Sequence, residues 1–168
     1  MKIRTLVSSI ASFLLIAGLF LQAPSALASG TSSADLEVLA VKGSAMAQRV
    51  LGKRYAMGVR GLTQDMEKAV FWLQKAADRG DGEAQYMLGV IYSQGTGIPQ
   101  DWVQAHMWFS LAGSSKMDVP QQNREIAENN RKAVEANMTP KQIEEAQALA
   151  SSWLAKHKEL DQTVASKD

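Results

Sequence analysis

The stretch AQYMLGVIYSQG, residues 84–95, repeats a pattern set 37 residues earlier by AQRVLGKRYAMG, residues 47–58. Ala47, Leu51-Gly52, Tyr55 and Gly58 recur as Ala84, Leu88-Gly89, Tyr92 and Gly95. Beyond the second glycine the offset falls to 36, and Asp65, Ala69, Trp72 and Ala76 recur as Asp101, Ala105, Trp108 and Ala112. The slip lies between GVRGLTQD and GTGIPQD, where a loop absorbs the insertion that packed helices would refuse. Each unit reads as two antiparallel helices. Ala84, Leu88, Ile91 and Tyr92 share one helical face, and Ala105, Trp108, Phe109 and Ala112 share another. Gly52 and Gly89 sit inside first helices, where glycine costs about 1 kcal/mol relative to alanine; a repeated one marks close helix approach. Asp65 and Asp101 stand as N-caps of the second helices, with Gln104 at capping-box spacing from Asp101. Upstream, Leu39-Ala40-Val41-Lys42-Gly43 aligns with Ala76-Ala77-Asp78-Arg79-Gly80, so residues 34–42 are expected to form the second helix of a truncated unit.

These residues resemble the Sel1-like repeat, a relative of the tetratricopeptide repeat. The pattern A-x3-L-G-x2-Y-x2-G, a glycine loop, and D-x3-A-x2-W-x3-A-A-x2-G stands complete from Ala47 to Gly80. The second copy, from Ala84 to Ala112, departs from it with Gly113 in place of the second alanine and Lys116 in place of the closing glycine. The resemblance implies an all-α fold, an α/α solenoid of helix-turn-helix repeats, over residues 29–117: a half repeat at 34–42 and full repeats at 44–80 and 81–116. Residues 118–160 are expected to form a C-terminal capping helix pair and 161–168 a flexible tail. Asp118-Val119-Pro120-Gln121 reads as one helix start, followed by Val119, Ile126, Ala133 and Val134 on one side; Asn123, Asn130 and Asn137, spaced at sevens, read as a solvated face. Thr139-Pro140-Lys141-Gln142 reads as the next start, with a capping box, and Ile143, Ala146, Ala150, Trp153 and His157 follow on one face. The string from Met138 to Ala150 is similar to the segment that closes many bacterial Sel1-like proteins.

The beginning of the chain has the layout of a secretory signal. Lys2 and Arg4 precede an apolar run from Leu6 to Leu21, Pro24 interrupts it, and Ala26-Leu27-Ala28 supplies a small-x-small cleavage site. Cleavage after Ala28 leaves a periplasmic or secreted chain with no membrane insertion. The 18 basic and 17 acidic residues then become 16 against 17, a balance that gives no pull toward nucleic acid. With no cysteine, disulfides, thiolate nucleophiles and cysteine–zinc sites are excluded.

Catalytic and cofactor templates find no support, and none of a catalytic, cofactor-binding or metal site is expected. His106 has no serine or carboxylate placed by the sequence to serve it, and His157 suits a helix C-terminus. Glu144 and Glu145 point to different sides of a helix. Gly95-Thr96-Gly97 lacks the strand and the Lys-Ser/Thr of a phosphate loop. Trp72, Trp108 and Trp153 suit a core, whereas Trp102, beside a loop, is expected to be partly exposed. What the pattern leaves is surface recognition. The related tetratricopeptide register directs Tyr86, Val90, Ser93 and Gln94 toward a concave groove, and Met46, Arg49, Lys53, Ala56 and Met57 in the first unit. A monomeric adaptor that holds a protein or peptide through Met46, Arg49, Lys53, Met57, Tyr86, Val90, Gln94 and Trp102 is the expectation. The alternatives are a cell-wall enzyme, as some cysteine-rich relatives suggest although their paired cysteines are absent here, or a structural subunit of an envelope complex.

Overall fold

A computed structural model describes residues 31–114 and 121–165, with side chains through residue 158. The expected signal segment, its cleavage site, the helix start at Asp118–Pro120 and Lys116 lie outside the described residues. Seven helices are described: α1 (Ser33–Val41), α2 (Ala45–Met57), α3 (Met66–Ala77), α4 (Gly82–Gln94), α5 (Trp102–Ser114), α6 (Gln121–Glu135) and α7 (Pro140–Ala165). No strand occurs among the described residues. The fold is an all-α solenoid of repeats.

Matching residues make matching bonds in the two units. Ser44 and Asp81 cap α2 and α4 by accepting from the backbone N–H groups of Ala47 and Ala84. Both first helices end on a glycine in the left-handed region, Gly58 and Gly95, each at φ 63°, where a side chain would be strained. The chain then turns back, and the N–H groups of Asp65 and Asp101 donate to the carbonyls of Tyr55 and Tyr92, each at 3.0 Å. The two aspartate side chains accept from Lys68 and Gln104 N–H groups at 2.9 and 3.0 Å. The expected capping box at Asp101 is not closed, because its N–H is already committed to Tyr92. At Thr139 the box does form: its N–H donates to Gln142 Oε1 at 2.9 Å and its hydroxyl accepts from the Gln142 N–H at 3.3 Å.

The interior glycines do what their spacing predicts. A Cβ at Gly52 would lie 2.8 Å from Leu73 Cγ and 3.0 Å from the Ala69 carbonyl oxygen, and one at Gly89 would lie 2.6 Å from the Phe109 ring. The paired helices meet backbone to side chain at these points. A second repeated device ties unit to unit. Gln48 Nε2 donates to the Ala40 carbonyl at 2.9 Å, and Gln85 Nε2 to the Ala77 carbonyl at 3.3 Å. Both glutamines are buried. The bond from Gln48 treats α1 as the preceding unit's second helix, which is the place the half repeat assigns it.

The core is continuous along the stack. Leu36 and Ala40 of α1 pack with Leu51 and Trp72. Leu73, Ala76 and Ala77 pack with Leu88, Trp108 and Leu111. Trp72 and Trp108 are buried, as their spacing predicts. At the C-terminal end, α6 and α7 do not form a hairpin packed on itself; each packs on α5. Ala127 and Val134 of α6 join Ala105, Phe109 and Ala112, while Ala150 and Trp153 of α7 cover Met107, Trp108 and Leu111. His157 reaches back to α3, with Nε2 against the Asp78 carbonyl, Nδ1 against the Trp153 carbonyl at 2.8 Å, and its ring stacked on Trp153. The helix of α7 continues through Ala165, past residue 161, where the sequence reading begins a flexible tail.

Candidate functional site

Tyr86, Val90 and Gln94 follow one another at intervals of a helical turn and so line one face of α4. The start of α5 brings Trp102 beside them, and Phe109 forms the floor. The opposite wall is α6, which contributes Ile126, Asn130, Ala133, Val134 and Asn137. Between the walls lies a cavity of about 490 Å3. The Tyr86 and Phe109 rings sit 5.7 Å apart in a tilted arrangement. Asn130 Nδ2 donates to the Tyr86 hydroxyl at 3.0 Å, which orients both. Burial pushes the Tyr86 phenol up, against the smaller effect of that bond, so the group is neutral. None of the lining residues is Asp, Glu, Lys, Arg or His.

A polar clamp around a buried histidine holds the α6 wall in place. His106 of α5 is fully buried, and its Nε2 lies 2.8 Å from Glu135 Oε1. Arg131 bonds Glu135 and also grips Glu128 at 2.6 and 2.9 Å. The sequence shows no serine or carboxylate placed to serve His106, yet the fold brings up both, since Ser110 Oγ stands 3.5 Å from Nδ1. That hydroxyl donates instead to the His106 carbonyl at 2.8 Å. With the ring sealed from solvent, the trio is a helix-to-helix tie.

The eight residues expected to contact a partner divide in two. Tyr86, Val90, Gln94 and Trp102 come together around the cavity. Met46, Arg49, Lys53 and Met57 stand on α2, outside it. Arg49, expected to contact a partner, is bound within the chain: Nε meets Asp81 at 2.9 Å and a terminal nitrogen meets Glu83 at 2.6 Å. Its side chain is 16% exposed. Glu83 is the repeat counterpart of Met46, so the ion pair joins one unit to the next. Burial lowers the Lys53 pKa, with Glu83 opposing and Arg49 adding to it. Only Met46 and Met57 present much surface, at 40% and 39%.

The expectation of a solvated asparagine face holds at Asn123 and Asn137, which are exposed although Asn137 borders the cavity, and fails at Asn130, which is half-buried and lines it. A signal for this is present in the sequence: Asn130 stands three residues after the buried Ala127, on the same side of α6. Gln48 and Gln85 were also missed, although their identity at the repeat offset marks them.

A tandem α/α repeat with a lateral groove is thus the class of molecule that fold and site define. In this chain the Sel1 repeat model matches residues 45–81 and 82–116, which are two Sel1-like repeats. Sel1-repeat proteins are protein-interaction modules. Among curated proteins, it is 44% identical over 62 residues to the ERAD-associated E3 ubiquitin-protein ligase component HRD3A of Arabidopsis thaliana, covering 37% of this chain and 9% of that one. It is 35% identical over 75 residues to chitin synthase regulatory factor 3 of Schizosaccharomyces pombe, covering 44% of this chain and 8% of that one. The chain therefore spans about a tenth of the length of these relatives. Among solved structures, a protective antigen present in uropathogenic Escherichia coli strains, displaying an SLR fold, aligns with a TM-score of 0.66 at 31% identity, over 88% of this chain and 30% of that one.

Proposed function

We propose that this chain is an exported adaptor of the bacterial envelope that holds a segment of one partner protein in the groove between α4, α5 and α6. The observation that carries the reading is the contrast between two equivalent faces. On the first repeat, Arg49 is already paired with Asp81 and Glu83; on the second, the same register opens an apolar cavity. Apolar concave sites with a few polar groups are where proteins most often bind ligands. The export half of the proposal rests on Lys2, Arg4, the apolar run that follows and Ala26-Leu27-Ala28. No helix among the described residues is long and apolar enough to cross a membrane. The groove is short, so affinity in the micromolar range, about 8 kcal/mol, is expected for one partner.

Crosslinking in intact cells tests this, with a tagged protein expressed from its full sequence and purified as the cell leaves it. A partner captured by the wild type and lost with Val90→Asp, at an unchanged melting temperature, supports the adaptor. Equal capture by both would remove the groove from the account.

A further inference from the structure

We infer that the groove selects a neutral, apolar side chain together with the peptide group that carries it, and rejects charged ones. The inference rests on the adaptor reading and names the chemistry of the partner segment.

Three observations support it. The first is the absence of charge on the walls, already noted. Behind the α6 wall, Arg131 is bonded to Glu128 and Glu135, and Glu135 to His106. A charge entering the cavity would lose water and find no counter-charge on the walls. The second is Gln94. It lines the cavity, and its Oε1 is screened from solvent with no hydrogen-bond partner. A buried amide oxygen left unpaired is costly, and a turn of the Gln94 side chain into the cavity lets it accept a ligand N–H. Every peptide group offers that N–H, and a plain hydrocarbon does not. The third is size. A cavity of about 490 Å3 falls within the roughly 300–1,000 Å3 of small-ligand sites. It takes one or two side chains and leaves the rest of the partner outside. Trp102, Val90 and Ile126 supply the apolar contact, while Asn130, already oriented by Tyr86, supplies a fixed polar edge.

The test uses three small probes on the isotope-labelled protein, expressed from its full sequence. N-acetyl-leucine amide is neutral and carries peptide N–H groups. N-acetyl-leucine adds a carboxylate, and leucine amide adds an ammonium. Nuclear magnetic resonance titration should show the neutral probe shifting the Trp102 indole and the Val90 amide, with about millimolar affinity for so small a ligand. Both charged probes should bind at least about tenfold more weakly. Gln94→Leu should weaken the neutral probe about threefold or more without lowering the melting temperature. The inference is overturned if the neutral probe leaves both signals unmoved, if all three probes bind alike, or if Gln94→Leu binds as the wild type does. Capture of a partner through Val90 with no probe binding would leave the adaptor standing and remove this inference. Selective probe binding with no partner captured would do the reverse.

Discussion

The two repeats share a register of 37 residues through their first helices and share nearly every structural bond, yet they present different faces. Arg49, Lys53 and Met57 in the first unit correspond to Tyr86, Val90 and Gln94 in the second. In the first, the positions nearest the junction serve the stack, because Arg49 binds Asp81 and Glu83. In the second they are uncharged, and α6 arches over them to leave a cavity. The outer faces differ as well. Phe71 of α3 is 52% exposed, whereas its counterpart Met107 is buried beneath α7. Positions that hold a helix pair together are therefore kept in both copies, and positions that look outward are free to diverge. The proposed site belongs to the divergent set.

The largest effect expected is at the floor of the groove. Phe109→Ala removes a fully buried ring that meets Gly89, Tyr86 and Val134, and should cost about 3–5 kcal/mol in urea unfolding while abolishing probe binding. A loss under about 1 kcal/mol would mean that α6 does not seat where described. Next come the paired glycines. Gly52→Ala and Gly89→Ala should each destabilise by about 1–3 kcal/mol through overpacking, although alanine is the better helix former. Stabilisation of either would break the close-approach account of the repeat.

Arg49→Ala separates the two faces more sharply. Losing charge-assisted bonds at a mostly buried junction should cost about 1–2 kcal/mol and leave affinity for N-acetyl-leucine amide unchanged. An intact melting curve with weakened binding would return the site to the first repeat. The smallest effect is electrostatic. The Arg131 guanidinium bonded to Glu128 holds that carboxyl below its ordinary value of 4.5, against a smaller effect of burial. A carboxyl with a depressed folded pKa contributes stability above its unfolded value and loses it as pH falls through the folded one. Protection factors of the α6 amides should therefore fall modestly below pH 4.5 and do so less in Glu128→Gln, while α2 and α3 show no such difference between the two proteins.

Much of this was legible before any coordinates. The glycine at helix approach, the caps at Asp65, Asp101 and Thr139, and the buried tryptophans follow from local spacing, because each is a short-range constraint. Half of the candidate site was legible for the same reason: Tyr86, Val90 and Gln94 are set by the helical period of α4. The other half was not. The wall from α6 depends on a helix more than 30 residues further on choosing to seat against α5, and periodicity says which side of α6 is apolar without saying what it covers. Arg49 failed for a related reason. Its partners lie 32 and 34 residues away, so nothing local distinguishes a cation that waits for a ligand from one that joins two units.

The most direct test places a photo-crosslinking amino acid at Val90 and, in a separate protein, at Lys53, its equivalent in the first repeat. The account predicts one discrete adduct in intact cells from position 90, suppressed by N-acetyl-leucine amide, and none from position 53. Adducts from position 53 alone would contradict it and move recognition to the face whose charge is already spoken for.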